Sequence, residues 1–131
     1  MLTAMAMLRP QMAAMYRQET DIFLLDPYPV PNMPMPWLAG VFEVAGKYGS
    51  RERLWAVIQA FGGEKWRKDG RPRRPTYLEM SGLTYLALAH SAHGLFYFNY
   101  PEAKEDPAAW VRFNQNSPGI DAVAHLVGAA S

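Results

Sequence analysis

The sequence predicts an α/β fold in which three parallel strands are joined by crossover helices. Apolar runs of strand length cover residues 21–28, 54–63 and 94–100, and stretches with helical spacing of apolar side chains separate them. The spacing between runs is that of a strand–helix unit. Right-handed crossovers place the carboxyl ends of such strands at one rim of the sheet. A further helix is predicted at each end of the chain.

The composition is that of a single globular domain over residues 1–131. Half of the residues are hydrophobic and 13% are aromatic, which is enough to fill a core. A formal net charge of +1 gives no reason to expect a nucleic-acid partner. The absence of cysteine excludes disulfides and thiolate metal sites. No apolar stretch is long enough to span a bilayer, so no membrane partner is expected.

The first third of the chain is predicted to be helix, strand and stiff loop. Residues 1–8 lack the basic start of a signal peptide and are interpreted as the entry to an amphipathic helix over residues 8–18. The compartment stays open, since a longer parent protein could be exported. The first strand ends at Asp26 and Tyr28, and prolines after it predict a rigid loop. This loop is either part of a binding site or a plain crossover.

The middle of the chain carries the central strand and a cationic loop. A helix is predicted over residues 36–48, followed by Gly49, a residue able to adopt a positive φ. The central run is predicted to be a strand buried on both faces, which ends at Gln59 and Phe61. Residues 64–75 follow as a loop with six cationic side chains, which either bind an anion or are simply solvated. Trp66 in this loop is either folded back onto the protein or offered to a ligand.

The last part of the chain begins with a helix start signal. Thr76 and Glu79 match a capping box, and the helix that follows extends to His90. His90 and His93 are three residues apart but have no evident third ligand, so neither a metal nor another cofactor is expected. The third strand presents polar tips at Tyr97, Asn99 and Tyr100. Helices are predicted over residues 108–114 and 120–130.

A three-stranded sheet would leave both of its edges unpaired. Unpaired backbone groups on apolar strands are a template for pairing with another chain. The sequence therefore predicts a homo-oligomer or a larger parent structure.

The order of five short motifs resembles the C-terminal part of a (β/α)8-barrel glycoside hydrolase of the retaining clan, which includes β-galactosidase-like and cellulase-like enzymes. The motifs are Asp26-Pro27-Tyr28-Pro29, Val57-Ile58-Gln59-Ala60-Phe61-Gly62, Arg74-Pro75-Thr76 with Glu79, Tyr85-Leu86-Ala87-Leu88-Ala89-His90 and Gly94-Leu95-Phe96-Tyr97-Phe98. The resemblance covers nearly the whole chain. It implies a partial barrel whose three strands correspond to the sixth, seventh and eighth of the complete fold.

The resemblance also implies carbohydrate chemistry at the carboxyl-end rim. Tyr28 matches a rim tyrosine of the family, and Phe98 lies near its usual aromatic platform. The family's acid/base follows the fourth strand, which this chain does not contain. Its nucleophile is a glutamate at the end of the seventh strand, where the nearest match here is Gln59, an amide that cannot serve as a carboxylate nucleophile.

Three functions follow from these observations. In the first, the chain is a glycosidase in which Asp26 is the leading catalytic carboxylate and Glu79 or Glu64 is the second. In the second, a carbohydrate-binding barrel fragment keeps the rim but has lost the chemistry. In the third, the chain is an interaction protein that self-associates through its open edges. The side chains expected to contact a sugar are Tyr28, Gln59, Phe61, Trp66, Tyr97, Asn99 and Tyr100.

Overall fold

A computed structural model describes residues 1–98 of the chain, and these form an α/β fold with a parallel sheet. The strands are β1 (Ala4–Met7), β2 (Ile22–Leu25), β3 (Leu54–Gln59) and β4 (Gly94–Phe98), and the α-helices are α1 (Trp37–Tyr48) and α2 (Tyr77–Ala89). Short 3-10 helices cover Pro10–Ala14, Arg51–Arg53 and Glu64–Asp69. Asn99, Tyr100 and the predicted helices over residues 108–114 and 120–130 lie outside the described residues.

The predicted α/β class, the parallel strands and the two crossover helices are confirmed. The strand number is a correction, because the sheet has four strands in the order β1-β2-β3-β4. All neighbours in this order pair in parallel. Within residues 1–98 the sheet stays open, so a closed barrel is not part of the described structure.

The additional strand replaces the helix predicted near the N-terminus. Residues 4–7 pair with β2, and only Pro10–Ala14 forms a short 3-10 helix in the region 8–18. The pairing begins where Thr3 donates its backbone N–H to the Asp21 carboxylate at 2.7 Å, and Asp21 donates its own to the Thr3 carbonyl at 3.1 Å. Alanine and methionine favour helices, so this strand exists because tertiary pairing overrides local propensity.

The core lies between one face of the sheet and the two α-helices. Side chains alternate between faces along each strand, and the helix-covered face carries the fully buried apolar ones. Phe23, Leu54 and Ile58 of the sheet pack with Phe42 of α1 and Leu83 of α2 in one continuous cluster. Because both crossovers lie on this side, the helices leave the other face of the sheet uncovered among residues 1–98.

The uncovered face is apolar along the four strands except at the carboxyl end of β3, where it carries the buried amide of Gln59. We call it the open face, and its apolar side chains are Ala4, Ala6, Ile22, Leu24, Trp55, Val57, Phe96 and Phe98. None of them is fully buried, and Phe96 retains 49% of its accessible surface. The prediction that the central strand is buried on both faces is therefore wrong for residues 1–98, since Trp55 and Val57 are only half-buried.

Two helix ends test the sequence signals directly. The capping box is confirmed, because the Thr76 hydroxyl accepts from the Glu79 N–H and the Glu79 carboxylate accepts from the Thr76 N–H. The helix α1 ends at Tyr48 as predicted, but Gly49 does not adopt the positive φ open to it, since its φ is −109° and its N–H donates to the Ala45 carbonyl. Residues 64–75 are also not simply a loop, as the 3-10 helix Glu64–Asp69 occupies half of them.

Replacing Thr76 with alanine should destabilise the fold by about 1 kcal/mol, the usual cost of removing an N-cap side chain. The loss arises because the Glu79 N–H no longer has an acceptor at the first turn of α2. The free energy of unfolding in urea measures the effect. Thr76→Ser keeps the hydroxyl and serves as the control, and an equal loss in both variants would contradict this explanation.

Among residues 1–98, no helix combines the length and the apolarity that crossing a bilayer would require.

Candidate functional site

The carboxyl ends of β2, β3 and β4 meet at one rim, as parallel pairing requires. Asp26 and Tyr28 follow β2, Phe61 follows β3 after one intervening residue, and Phe98 ends β4. The backbone links these exits as well, since the Ala60 N–H donates to the Phe98 carbonyl at 2.6 Å. The rim therefore brings together side chains that are far apart in the sequence.

Four aromatic side chains form a continuous cluster at this rim. We call Tyr28, Phe61, Trp66 and Phe98 the rim aromatic cluster. The Phe61 ring is central, with its centroid 4.9 Å from Tyr28, 5.5 Å from Phe98 and 4.6 Å from Trp66. Tyr28 and Phe98 are nearly parallel, at 6.2 Å. Phe61 is buried, whereas Phe98 keeps 40% of its accessible surface and presents a ring to solvent.

Asp26 is the carboxylate at this rim. Its side chain is half-buried, and its Oδ1 atom is fully buried with no hydrogen-bond partner. Burial raises the pKa of the Asp26 carboxyl, and a hydrogen bond with its own backbone N–H offsets only part of that rise. Asp26 is therefore easier to protonate than a solvated aspartate, as a proton donor at neutral pH needs to be.

Tyr28 is held as a neutral phenol beside Asp26. Burial raises the pKa of Tyr28 far above its ordinary value, and the charge of Asp26 raises it further. The hydroxyl of Tyr28 therefore remains an O–H donor at every physiological pH. The pair offers one donor that does not ionise and one carboxyl whose ionisation is suppressed by burial.

A pocket opens beside Asp26 at the carboxyl end of β1. Its volume is about 450 Å³, within the usual size of small-molecule sites. The lining residues are Met5, Ala6, Met7, Leu8, Arg9, Met12, Tyr16 and Asp26. Most of the lining is apolar, and Arg9 and Asp26 are its charged groups. A ligand in this pocket would reach the Asp26 carboxyl from the side of β1.

Comparison with known proteins leaves the family open. No family model, no curated protein and no solved structure matches the chain. The resemblance to glycoside hydrolases thus rests on the order of the motifs, and the chemistry of the site is argued from its own geometry.

Gln59 lies beneath the rim, on the same face of β3 as Trp55 and Val57. Its side chain is completely buried, and its Oε1 accepts the Val30 N–H at 3.0 Å. Its Nε2 donates to the Val30 carbonyl at 2.9 Å and to the Phe61 carbonyl at 3.3 Å. Gln59 thus connects the proline-rich loop to the end of β3 by hydrogen bonds. Both the oxygen and the nitrogen of its amide are bonded to backbone groups.

The other two candidate carboxylates are held by arginines. Glu79 accepts two hydrogen bonds from Arg73, at 2.8 and 2.9 Å, in addition to its role in the capping box. The Arg73 guanidinium lowers the pKa of Glu79 to about 2, so this side chain stays ionised. Glu64 is exposed and paired with Arg67 at 2.7 Å. Neither group has the buried, unpartnered character of Asp26.

The cationic segment is largely engaged with the protein itself. Arg67 and Arg73 hold carboxylates, and Arg71 donates to the Gly70 carbonyl at 3.3 Å. Trp66 is folded back onto Phe61 and is half-buried, which answers the question raised by its place in a charged segment. These contacts favour a structural role for the segment over an anion site.

Tyr97 lies on the opposite side of the sheet from Phe98. Its hydroxyl is 2.9 Å from the Thr84 hydroxyl of α2, and burial raises the pKa of Tyr97. Its ring packs near Met80 and Ala60, under the helix. The structure therefore does not bring Tyr97 to the rim aromatic cluster.

The histidines do not assemble a metal site in the described part of the chain. His90 Nδ1 lies 3.6 Å from Glu43, and His93 Nδ1 lies 2.9 Å from the Ser91 carbonyl. No group of three His, Asp or Glu side chains within residues 1–98 is arranged to hold a metal ion.

Sequence reasoning missed the pocket and its charged residue Arg9. The pocket is built on β1, and residues 4–7 carry no strand signal because their alternation of Ala and Met also suits a helix. Pro10, the first residue of the 3-10 helix Pro10–Ala14, was the available hint that no regular helix continues through this point from the N-terminus.

Proposed function

We propose that the rim binds an oligosaccharide and that Asp26 donates the proton in hydrolysis of a glycosidic bond. The observation that carries this proposal is the half-buried Asp26 carboxyl, with an unpartnered Oδ1, next to the rim aromatic cluster. Glycoside hydrolysis needs a carboxylic acid whose pKa is raised by its surroundings. Burial supplies that change at Asp26.

The chemical role of Asp26 is proton transfer to the leaving-group oxygen. As the bond between the anomeric carbon and that oxygen breaks, the oxygen gains negative charge and takes the carboxyl proton. The sugar then carries positive charge near its ring oxygen, where a carboxylate stabilises it. Tyr28 can donate a hydrogen bond to a sugar hydroxyl without itself ionising.

The aromatic rings supply the sugar platform. The apolar C–H face of a pyranose packs against aromatic rings, whose π faces carry partial negative charge. Phe98 presents such a ring to solvent, and Phe61 fixes its position from behind. Small-molecule binding sites are commonly lined by apolar and aromatic side chains, with a small number of polar groups that orient the ligand.

The strand order supports the finer fold proposal, a partial (β/α)8 barrel. An open doubly wound sheet reverses its strand order at a switch point, whereas a barrel keeps it sequential. Here the order is sequential over four parallel strands, with both α-helices on one face.

The second candidate function is carbohydrate binding without hydrolysis. One observation that favours it is that the Glu79 carboxylate already accepts hydrogen bonds from Arg73 and Thr76. Another is that the side chain at position 59 is a buried amide and not a carboxylate. Hydrolysis needs two carboxyl groups flanking the bond.

Replacing Phe98 with alanine should weaken oligosaccharide binding by about tenfold, because it removes the exposed ring of the platform. Intrinsic tryptophan fluorescence measures the binding, since Trp66 belongs to the rim aromatic cluster and contacts Phe61. Phe96→Ala is the matched control: this ring is on the same strand and face but contacts Trp55 instead. Equal weakening in both variants would argue against a sugar platform at the rim.

Hydrolysis is tested on the same samples with chromogenic glycosides and an assay for new reducing ends. Saturable binding with release of reducing ends supports the enzyme. Saturable binding without release over long incubation supports the binding protein. The absence of both would contradict the proposed function.

A further inference from the structure

The topology of the sheet points to a second copy of this chain as the occupant of the open face. We propose that two copies pair β4 of each with β1 of the other and close an eight-stranded parallel barrel. The proposal concerns assembly and does not depend on carbohydrate chemistry.

The strand arrangement is that of half a barrel. A (β/α)8 barrel has eight parallel strands in sequential order, with helices outside and a packed interior. The described residues supply four such strands in sequence, with α1 and α2 on one face and the open face on the other. A two-fold axis along the barrel axis keeps all eight strands parallel. It also pairs both edges of both sheets at once.

The open face has the character of a barrel interior. Apart from the buried amide of Gln59, its strand side chains are Ala, Ile, Leu, Val, Trp and Phe, and three aromatic rings remain partly exposed in one copy. Phe96 is 49% and Phe98 40% exposed. A contiguous apolar surface of this kind marks an interface in a protein that otherwise buries its core well.

The two edge strands are complementary in size. On the open face β1 carries only Ala4 and Ala6, whereas β4 carries Phe96 and Phe98. Pairing β4 with the partner's β1 sets large rings beside methyl groups, which is how facing layers interdigitate in a packed interior. Pairing two copies of β4 would instead force four large rings together.

A second copy fits this surface better than another segment of the same chain. Each sheet edge needs a strand of the same direction, and one partner copy supplies both.

The assembly has a consequence that rests on the proposed function: the partner's Asp26 comes to the same barrel mouth. Opposite strands in an eight-stranded barrel are about 15 Å apart, from the strand spacing and tilt. If the two Asp26 side chains point inward from opposite strands, their carboxyl groups are about 8 Å apart, which is within the range of carboxyl separations in inverting glycoside hydrolases. One Asp26 would protonate the departing oxygen while the other takes a proton from the attacking water. The C–O bond to the leaving group breaks as the bond from water forms.

The molecular mass measured by sedimentation tests the assembly. We expect twice the 14.8 kDa of the chain. Phe96→Lys should convert the dimer to monomer, because it places a charge inside the barrel. A monomeric wild-type protein, or an assembly larger than a dimer, would overturn the proposal.

Cross-linking tests the pairing, and the chain has no cysteine to interfere. A covalent dimer should form on oxidation of the double variant Ala6→Cys with Phe96→Cys. If β4 pairs with the partner's β1 in the neighbouring register, the double variant Ala4→Cys with Phe96→Cys should form it instead. Ala6→Cys alone should not, because the two β1 strands lie on opposite sides of the barrel. Ala6→Cys with Glu43→Cys, on the outside of α1, is the matched control. Cross-linking by Ala6→Cys alone would indicate a different edge pairing and overturn the barrel.

The shared site is tested separately, by proton NMR of the freshly released sugar. Inversion at the anomeric carbon supports two Asp26 carboxyls acting from opposite sides. Retention of configuration, or no turnover by a proven dimer, would overturn the shared site and leave the assembly standing.

Discussion

Replacing Asp26 with asparagine should reduce glycoside turnover at least 100-fold and at the same time stabilise the fold at neutral pH. Turnover falls because an amide cannot donate a carboxyl proton, and such a proton donor contributes about 10²–10⁴-fold to rate. Stability rises because the half-buried carboxylate, with its unpartnered Oδ1, is costly to hold in its charged form. A gain in stability on loss of function is typical of an active-site group.

The sign of the pH dependence follows from the raised pKa of Asp26. Below the pKa of the unfolded chain the carboxyl is protonated in both states and costs nothing. As pH rises through the higher folded-state pKa, the wild type loses stability relative to Asp26→Asn. Thermal unfolding of both proteins from pH 3 to pH 8 should therefore show a difference that grows with pH and then levels off.

Asp21→Asn is the matched control, since it changes a carboxylate at the opposite end of β2. Hydrogen bonds from Thr3 lower the pKa of Asp21, so its ionised form stabilises the fold. Its substitution should destabilise the protein above the unfolded-state pKa and leave turnover intact. Equal turnover in the wild type and Asp26→Asn would remove Asp26 from the mechanism.

Replacing Gln59 with leucine should destabilise the fold by about 3 kcal/mol, the cost of leaving buried backbone groups without partners. The N–H and carbonyl of Val30 would both lose the side chain that binds them. Leucine also fills the space, so the loss reports hydrogen bonds and not a cavity. The free energy of unfolding in urea measures it.

Gln59→Glu introduces the residue type that the resemblance to glycoside hydrolases would imply at the end of this strand, and we expect no gain of hydrolysis. A carboxylate there would bring an oxygen against the Val30 carbonyl, where the amide now donates at 2.9 Å. The folded-state pKa of the new carboxyl should be raised, so the variant should lose stability as pH rises. A Gln59→Glu protein that is as stable as the wild type at pH 7, or that gains turnover, would contradict this assignment.

The parts of the fold that depend on local signals were predictable. Thr76 and Glu79 predict the start of α2 from the sequence, because a capping box is formed by residues only three positions apart. The apolar run of β3 predicts a strand by its composition alone. The strand β1 was not predictable, since Ala4–Met7 becomes a strand only by pairing with Ile22–Leu25.

In the candidate site, too, some residues could be placed from the sequence and others could not. Asp26, Tyr28 and Phe61 could be placed at one rim because parallel strands end together. The interior role of Gln59 could not, because it depends on where the proline-rich loop puts Val30, 29 positions away. Likewise, the sequence offers Glu79 as a carboxylate, but only the fold shows that Arg73 holds it.

The central claim, that Asp26 is the proton donor of a sugar-binding rim, is tested most directly by its own titration. Carbon-13 NMR of the Asp26 carboxyl, assigned by comparison with Asp26→Asn, gives the midpoint in the folded protein. We predict a midpoint above the ordinary value of 3.8, because burial opposes ionisation. A midpoint at or below that value would show a solvated or paired carboxylate and contradict the assignment.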